Sequence, residues 1–430
     1  MNGSPAPLSC PALLIASCAS GQGKTTVTAA LARHHVRSGR RVRVFKTGPD
    51  FLDPTLLEAA SSAPVYNLDC WMVGIEDSRA HLYAAARDAD LILVEGAMGL
   101  YDGDPSSADL AATFGLPVAA VVDASAMAET FGAVAKGLKD YRALPFAGVI
   151  ANRVAGPGHV HMIAASLPPD IALLGALSIA ARPFCERHLG LVQASEIDAL
   201  PAALDALSDL IGKQSLPPAV SFAPGAAPFP LRLLAGWRVA VARDAAFSFL
   251  YRANLDCLAA MGAELSFFSP LADEPVPRAD SLYLPGGYPE LHAAKLASSR
   301  LWLESLQAFA ASGRPLLAEC GGMMVLFDTL VALDGNAYTM AGLLPGKVTM
   351  GERLAAVGLQ SLRLPRGELR GHAFHHSQLD TTLAPVYECV PHRYGRAEPV
   401  FRRGSITASY LHAYFPSAPA AAAGLLTGAA

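Results

Sequence analysis

Residues 13–16 form a short apolar run that leads straight into Ser17-Cys18-Ala19-Ser20-Gly21-Gln22-Gly23-Lys24-Thr25-Thr26, and a helix-like stretch follows as far as Gly39. The order strand, glycine-rich loop, helix restricts the chain to a parallel α/β layer whose first turn is shaped for phosphate. Glycines let backbone N–H groups close around phosphate oxygens, Lys24 can reach the terminal phosphates, and Thr25 can ligate magnesium at the helix N-terminus. The strict pattern places a glycine six residues before the lysine. Here Cys18 stands at that position.

The alternation begun there continues. Apolar runs at 42–45, 91–94, 118–122 and 148–151 are each followed by small or polar residues, as expected of βα units that bind ligands at the carboxyl ends of their strands. The segment 213–236 carries five prolines and little periodicity and reads as a linker. A second alternation then opens, with strands expected at 239–242, 282–284, 316–317 and 405–409. The expected organisation is an α/β domain over 1–212, a linker over 213–236, a second α/β domain over 237–416 and a flexible tail over 417–430. A chain of 430 residues exceeds the size of a single core, and 52% hydrophobic against 16% charged residues suits compact domains.

A magnesium-nucleotide loop needs carboxylates nearby. Glu95 closes the apolar run 91–94 and opens Glu95-Gly96-Ala97-Met98-Gly99-Leu100-Tyr101-Asp102-Gly103, so it is expected to serve the metal together with Thr25. Lys46-Thr47-Gly48-Pro49-Asp50-Phe51-Leu52-Asp53-Pro54 carries two carboxylates in a turn. Its plain reading is turn and helix-cap chemistry, but beside a phosphate loop Asp50 becomes a metal candidate and Asp53 a candidate for metal or acceptor. Asp123 is a weaker case of the same kind.

In the second half, Pro315-Leu316-Leu317-Ala318-Glu319-Cys320-Gly321-Gly322-Met323 sets a cysteine at a strand-to-helix turn, where the sulfur is exposed and a helix N-terminus favours thiolate. A thiolate attacking an amide needs a base and an oxyanion hole. His412, in Ser409-Tyr410-Leu411-His412-Ala413-Tyr414-Phe415, fits the base, with His375 and His376 as competitors. Leu284-Pro285-Gly286-Gly287-Tyr288-Pro289-Glu290 fits the loop, and Gly321 lies beside the sulfur. His159 and His161 have no second ligand set and read as solvated or packing residues.

Taken together, these segments resemble the cobyrinic acid or hydrogenobyrinic acid a,c-diamide synthases of corrin biosynthesis. Asn67-Leu68-Asp69, Arg187-His188-Leu189-Gly190-Leu191 and Gly371-His372-Ala373-Phe374-His375-His376-Ser377 add to the likeness. The resemblance implies an N-terminal domain similar to dethiobiotin synthetase and a C-terminal class I glutamine amidotransferase domain, with ATP, Mg²⁺ and L-glutamine as requirements. It further implies Cys320 as nucleophile, His412 as its activator, and oxyanion contacts from Gly286 and Gly287. Ammonia would pass to a corrinoid carboxylate phosphorylated by ATP, with Asp50, Asp53 and Asp102 near nucleotide or corrinoid. Two departures stand out. Tyr414 occupies a place often held by Glu, which suggests a cysteine-histidine dyad or a third group from elsewhere, and Ala373 replaces a residue that is commonly acidic, which weakens any role for His372.

Cobyric acid synthase, acting on other corrin carboxylates, is the nearest alternative, and a partitioning or scaffold ATPase is the alternative of a different class. A net charge of −4, with no basic cluster beyond Arg40, Arg41 and Arg43, indicates neither a nucleic-acid nor a membrane partner. Seven widely spaced cysteines without a C-x-x-C pair suit a reducing compartment, and cytoplasm is the expectation. Assembly as a homodimer is left open.

Overall fold

The computed structural model describes residues 6–179, 186–187, 190–191, 197, 199–212, 214–225 and 232–429. Cys185, His188 and Leu189 fall outside them, so the 187–191 segment gains no structural account beyond a short pairing of Glu186–Arg187 with Gly190–Leu191. The chain divides into two units, Met1–Ala227 and Pro228–Ala430.

In the first unit the seven strands β1 (Leu8–Ser17), β2 (Val42–Thr47), β3 (Tyr66–Leu68), β4 (Leu91–Glu95), β5 (Val118–Asp123), β6 (Phe146–Val154) and β7 (Leu173–Ser178) lie in the order β3-β2-β4-β1-β5-β6-β7. Each neighbouring pair is parallel. Helices cover both faces, which is why β4 and β5 read as unbroken apolar runs instead of alternating. Along β1, Leu13 and Ile15 join one core with Val27, Leu31 and Leu57. Leu14 and Ala16 join the opposite one with Leu82, Val94 and Leu110. This arrangement brings the carboxyl ends of β1, β2, β4 and β5 to one edge, with Lys46 directly across from Glu95 in the β2–β4 register.

The expected linker is partly ordered as sheet. Ala219–Phe222 pairs antiparallel with the start of β1, from Leu8↔Phe222 to Pro11↔Ala219. Val220 and Phe222 are buried there, an alternation too short to stand out among the prolines.

The second unit is built on a sheet of Glu264–Phe268, Arg238–Ala242, Ser281–Leu284, Leu316–Glu319, Ile406–Ser409, Pro399–Arg403 and Tyr387–Glu388, in that order. The first five strands are parallel and the last two antiparallel. A smaller sheet pairs Gly367–His375 with Ala356–Leu364 on one side and His412–Ala413 on the other.

The expected flexible tail is corrected here. Pro419–Thr427 is a helix, and Ala421, Ala422, Ala423, Leu425 and Leu426 are buried against Leu362, Leu364 and Leu369. Alanine and leucine are strong helix formers, so a run of them that composition marks as featureless becomes a core helix once a surface is available. Among the described residues no helix is long and apolar enough to cross a membrane.

Candidate active site

The phosphate loop leaves β1 at Ser17 and enters the helix Lys24–Arg37. Gly23 has φ +88°, and a Cβ there would lie 2.2 Å from Asn152 Nδ2, which donates to Gln22 O at 2.8 Å. Only glycine fits between the loop and β6. Gln22 also accepts from the Asp123 backbone N–H at 2.8 Å, so the loop is tied to the ends of β5 and β6. Lys24 Nζ donates to Ser17 Oγ at 2.9 Å, Met98 O at 2.6 Å and Ala19 O at 3.4 Å. Burial lowers the Lys24 ammonium, and Lys46 adds to the effect.

Beside it lies a buried cluster centred on a residue that sequence reading passed over. Lys46 Nζ sits 2.7 Å from Asp53 Oδ2 and 2.9 Å from Glu95 Oε1, and the Thr25 hydroxyl donates to the same Glu95 oxygen at 2.8 Å. Burial alone would push Lys46 down, but Glu95 and Asp53 hold it well above its ordinary value. Burial lifts Glu95 to about 7 against the pull of Lys46. Glu95 Oε2 and Asp53 Oδ1 are buried and accept no hydrogen bond. Two carboxylate oxygens desolvated without partners cost stability, and together with the Thr25 hydroxyl they are the donor set that a magnesium nucleotide uses.

Among the described residues no three His, Cys, Asp or Glu side chains gather as a metal cage. Magnesium does not need one, since it takes one or two carboxylates plus phosphates and water. The set therefore fits the ion.

Asp50 lies at the rim of this cluster, its carboxyl lifted to about 7 by burial and by Asp53. Its Oδ1 accepts from the backbone N–H groups of Leu52 and Asp53 at 2.8 and 3.1 Å, and its Oδ2 is 3.9 Å from Lys46. The structure thus seats Asp53 closer to Lys46 than Asp50, whose Oδ1 holds the start of the next helix. Asn67 clamps the same turn, donating to Gly48 O at 2.8 Å and Asp50 O at 3.0 Å. Asp102 is exposed and accepts from Gly99 N–H at 3.0 Å, bracing the loop that ends with it. Asp123 caps Ser125 N–H at 2.9 Å and pairs with Arg153, so its carboxylate is already engaged.

In the second unit Cys320 terminates Leu316–Glu319 at φ 43° and ψ −109°, left-handed backbone that a side chain rarely adopts. Such strain persists only where the surroundings impose it, and Cys320 is buried where the sequence reading expected an exposed sulfur. Gly286 lies between Cys320 and His412. A Cβ there would stand 2.2 Å from His412 Cε1 and 3.3 Å from Cys320 Cβ. A Cβ at Gly321 would stand 3.0 Å from Gly287 N, so the two loops close together beside the sulfur. Gly286→Ala is therefore expected to push the His412 ring away and reduce glutamine hydrolysis by about 10²-fold or more, read as kcat.

The surroundings of the sulfur differ from those that the sequence reading of a stabilised thiolate assumed. The helix that follows, Gly321–Met324, has four residues, and burial pushes the Cys320 thiol well up, with Glu290 adding to it. Burial likewise drives His412 well below its ordinary value. Both shifts have one leading cause, burial, and both favour the uncharged forms.

His375 is engaged elsewhere, its Nε2 3.2 Å from Glu398 Oε1, its Nδ1 2.9 Å from Ser377 O, and its ring stacked on Tyr410. His376 is exposed. Of the three competing histidines, His412 is the one seated against Gly286 and Cys320. Sequence reading missed Glu319 and Asn254, which hold the His412 strand. Glu319 accepts from Tyr283 OH at 2.7 Å and from Ala413 N–H at 3.2 Å. Asn254 donates to Ala413 O and accepts from Phe415 N–H, both at 2.8 Å.

A phosphate loop with a buried carboxylate-lysine cluster, joined in one chain to a strained cysteine and a histidine at an α/β strand end, defines a glutamine-hydrolysing carbon-nitrogen ligase. Residues 13–179 match the CobQ/CobB/MinD/ParA nucleotide binding domain, and residues 238–420 match the CobB/CobQ-like glutamine amidotransferase domain. The chain is 57% identical to a hydrogenobyrinate a,c-diamide synthase of Stutzerimonas stutzeri, over 97% of this chain and 98% of that one. It is 55% identical to the enzyme of the same name from Pseudomonas aeruginosa, over 98% of each. A cobyrinate a,c-diamide synthase of Herminiimonas arsenicoxydans is 52% identical, over 96% of this chain and 95% of that one. The chain belongs to the cobyrinate and hydrogenobyrinate a,c-diamide synthase family.

Proposed function

We propose that this chain converts the a and c acetate carboxylates of cobyrinic or hydrogenobyrinic acid to amides in cobalamin biosynthesis, using ATP and glutamine. The observation that carries the reading is the presence of two complete half-sites in one chain: Thr25, Lys46, Asp53 and Glu95 beside the phosphate loop, and Cys320 with His412 against Gly286.

In the second unit the Cys320 sulfur attacks the side-chain amide carbon of glutamine while His412 takes the thiol proton. Backbone N–H groups from Gly286, Gly287 and Gly321 would stabilise the oxyanion. His412 returns the proton as the C–N bond breaks, so ammonia leaves and a thioester remains. Water then hydrolyses the thioester to glutamate and restores the thiol.

In the first unit an acceptor carboxylate attacks the γ-phosphorus of ATP, giving an acyl phosphate and ADP. Lys24 turns from Met98 O toward the phosphates. Thr25, Glu95 and Asp53 would hold Mg²⁺, which neutralises phosphate charge. Ammonia displaces phosphate from the acyl carbon and yields the amide. A cytoplasmic setting is part of the reading, because the chemistry needs ATP and a reduced Cys320.

Mass spectrometry of products from cobyrinate and hydrogenobyrinate, with ATP and glutamine present, tests this. The expected product is the a,c-diamide. Amidation only of acceptors that already carry both amides would overturn it.

A further inference from the structure

No carboxylate follows His412 at the place where related enzymes carry one. Tyr414 fills it, with its ring 5.7 Å from that of Tyr251. Two rings lie against His412: Phe249, 5.8 Å away between centroids and tilted, and a second histidine. His372 and His412 are directly opposed in the antiparallel pairing of Gly367–His375 with His412–Ala413. Their rings stack at 5.0 Å between centroids and 20° between planes. The strands approach so closely that a Cβ at Gly371 would stand 2.1 Å from His412 O. On its other side His372 is fixed, with Nδ1 2.9 Å from the Tyr251 hydroxyl. His372 and Tyr251 are both buried.

Resting on the reading of Cys320 and His412 as the glutamine-hydrolysing pair, we propose that His372, oriented by Tyr251, is the positioning residue of that pair and takes the place of an acidic third member. Tyr251 immediately precedes the helix Arg252–Ala260, and Asn254 in that helix holds Ala413 O and Phe415 N–H. One helical turn therefore fixes the backbone of the His412 strand and, through Tyr251 and His372, the plane of the His412 ring. A ring held in plane keeps one orientation beside Cys320 while a proton moves.

Charge decides what such a residue can and cannot do. An acidic partner orients the base and stabilises the imidazolium that forms on it. His372 is held near 3 by burial, so it stays neutral at working pH. It orients without adding a cation beside His412 and without neutralising one. Its loss should therefore cost less than loss of a triad carboxylate, about 10- to 100-fold, as for other residues that act by orienting a reacting group.

The full-length protein carrying His372→Ala, His372→Phe, Tyr251→Phe or the double change Tyr251→Phe with His372→Ala tests this. Three quantities are measured: kcat and KM for glutamine hydrolysis, the rate of amidation with free ammonia, and the rate of Cys320 alkylation by iodoacetamide. His372→Ala is expected to lower kcat about 10- to 100-fold, with KM and ammonia-driven amidation unchanged. His372→Phe, which keeps a stacked ring, should recover part of the loss. Tyr251→Phe should fall in the same direction by a smaller factor, and the double change should be no worse than His372→Ala, because the two act as a unit.

Unchanged kcat, a parallel fall in ammonia-driven amidation, or independent multiplying effects in the double change would each overturn the assignment. If His372→Ala does not fold, Tyr251→Phe decides alone, since it removes one oxygen. Cys320 alkylation at the wild-type rate in His372→Ala, with kcat unmoved, counts against it as well. The underlying reading fails separately, if Cys320→Ala still hydrolyses glutamine.

Discussion

Cys320→Ala is expected to abolish glutamine-dependent amidation, by about 10⁴-fold or more in kcat, while amidation driven by free ammonia continues at the wild-type rate. The sulfur is the atom that forms the thioester, so no neighbour can substitute for it. The site around it is otherwise built on backbone: Cys320 N–H donates to Ser409 O at 2.8 Å and Met324 N–H to Cys320 O at 2.9 Å. Both bonds survive in alanine, although the left-handed φ of 43° remains a strain that alanine also carries. The fold should hold, and glutamate release, read by an enzymatic glutamate assay, should vanish. Glutamate release that persists in Cys320→Ala would place the nucleophile elsewhere. Loss of the ammonia-driven reaction would instead mean that the two half-reactions are not separable.

Much of this was written in the chain, for a physical reason. Parallel strands covered on both faces are nearly uniform apolar runs, so residues 91–94 and 118–122 announce strands, and the polar residue that ends each announces a site edge. Glu95 and the loop from Ser20 to Thr26 were legible in that way, as were Cys320 and His412. What was not legible depends on contacts across the sheet. Lys46 lies within a run read as a strand end. Nothing in its local sequence says that it faces Glu95 across two strands and offsets both Glu95 and Asp53. Which carboxylate of the turn lies beside Glu95 was hidden for a related reason. Both sit in one turn, and only the start of the helix Leu52–Ser61 decides which carboxylate caps and which turns inward.

His372 shows the same limit from the opposite side. Ala373 at a commonly acidic position weakened the case for it, yet the pairing His372↔His412 is long-range and set by strand register. The tail 417–430 shows how composition misleads. Alanine-rich sequence is compatible with fraying or with a core helix, and burial of Leu426 against the sheet selects the second.

Glu95→Gln is expected to remove ATP-dependent amidation with either nitrogen source, by about 10²- to 10³-fold in kcat, and to leave glutamine hydrolysis intact. The substitution is nearly isosteric. A glutamine oxygen can still accept from the Thr25 hydroxyl and from Lys46, which meet Glu95 Oε1 at 2.8 and 2.9 Å. The amide nitrogen would replace Oε2, the buried oxygen that accepts no hydrogen bond and is best placed to face a cation. Geometry is therefore kept while the negative charge goes, and Lys46 keeps Asp53 at 2.7 Å as its partner. Asp53→Asn should act in the same direction. Asp50→Asn should act far less on kcat, because the Oδ1 that caps Leu52 and Asp53 survives as the amide oxygen. The assay is ADP release with the corrinoid acceptor and free ammonia, run beside glutamate release from glutamine. If Glu95→Gln turned over ATP at the wild-type rate, the buried carboxylate cluster would be structural. If Asp50→Asn proved as damaging as Asp53→Asn, both carboxylates of the turn would have to reach the nucleotide once it is bound.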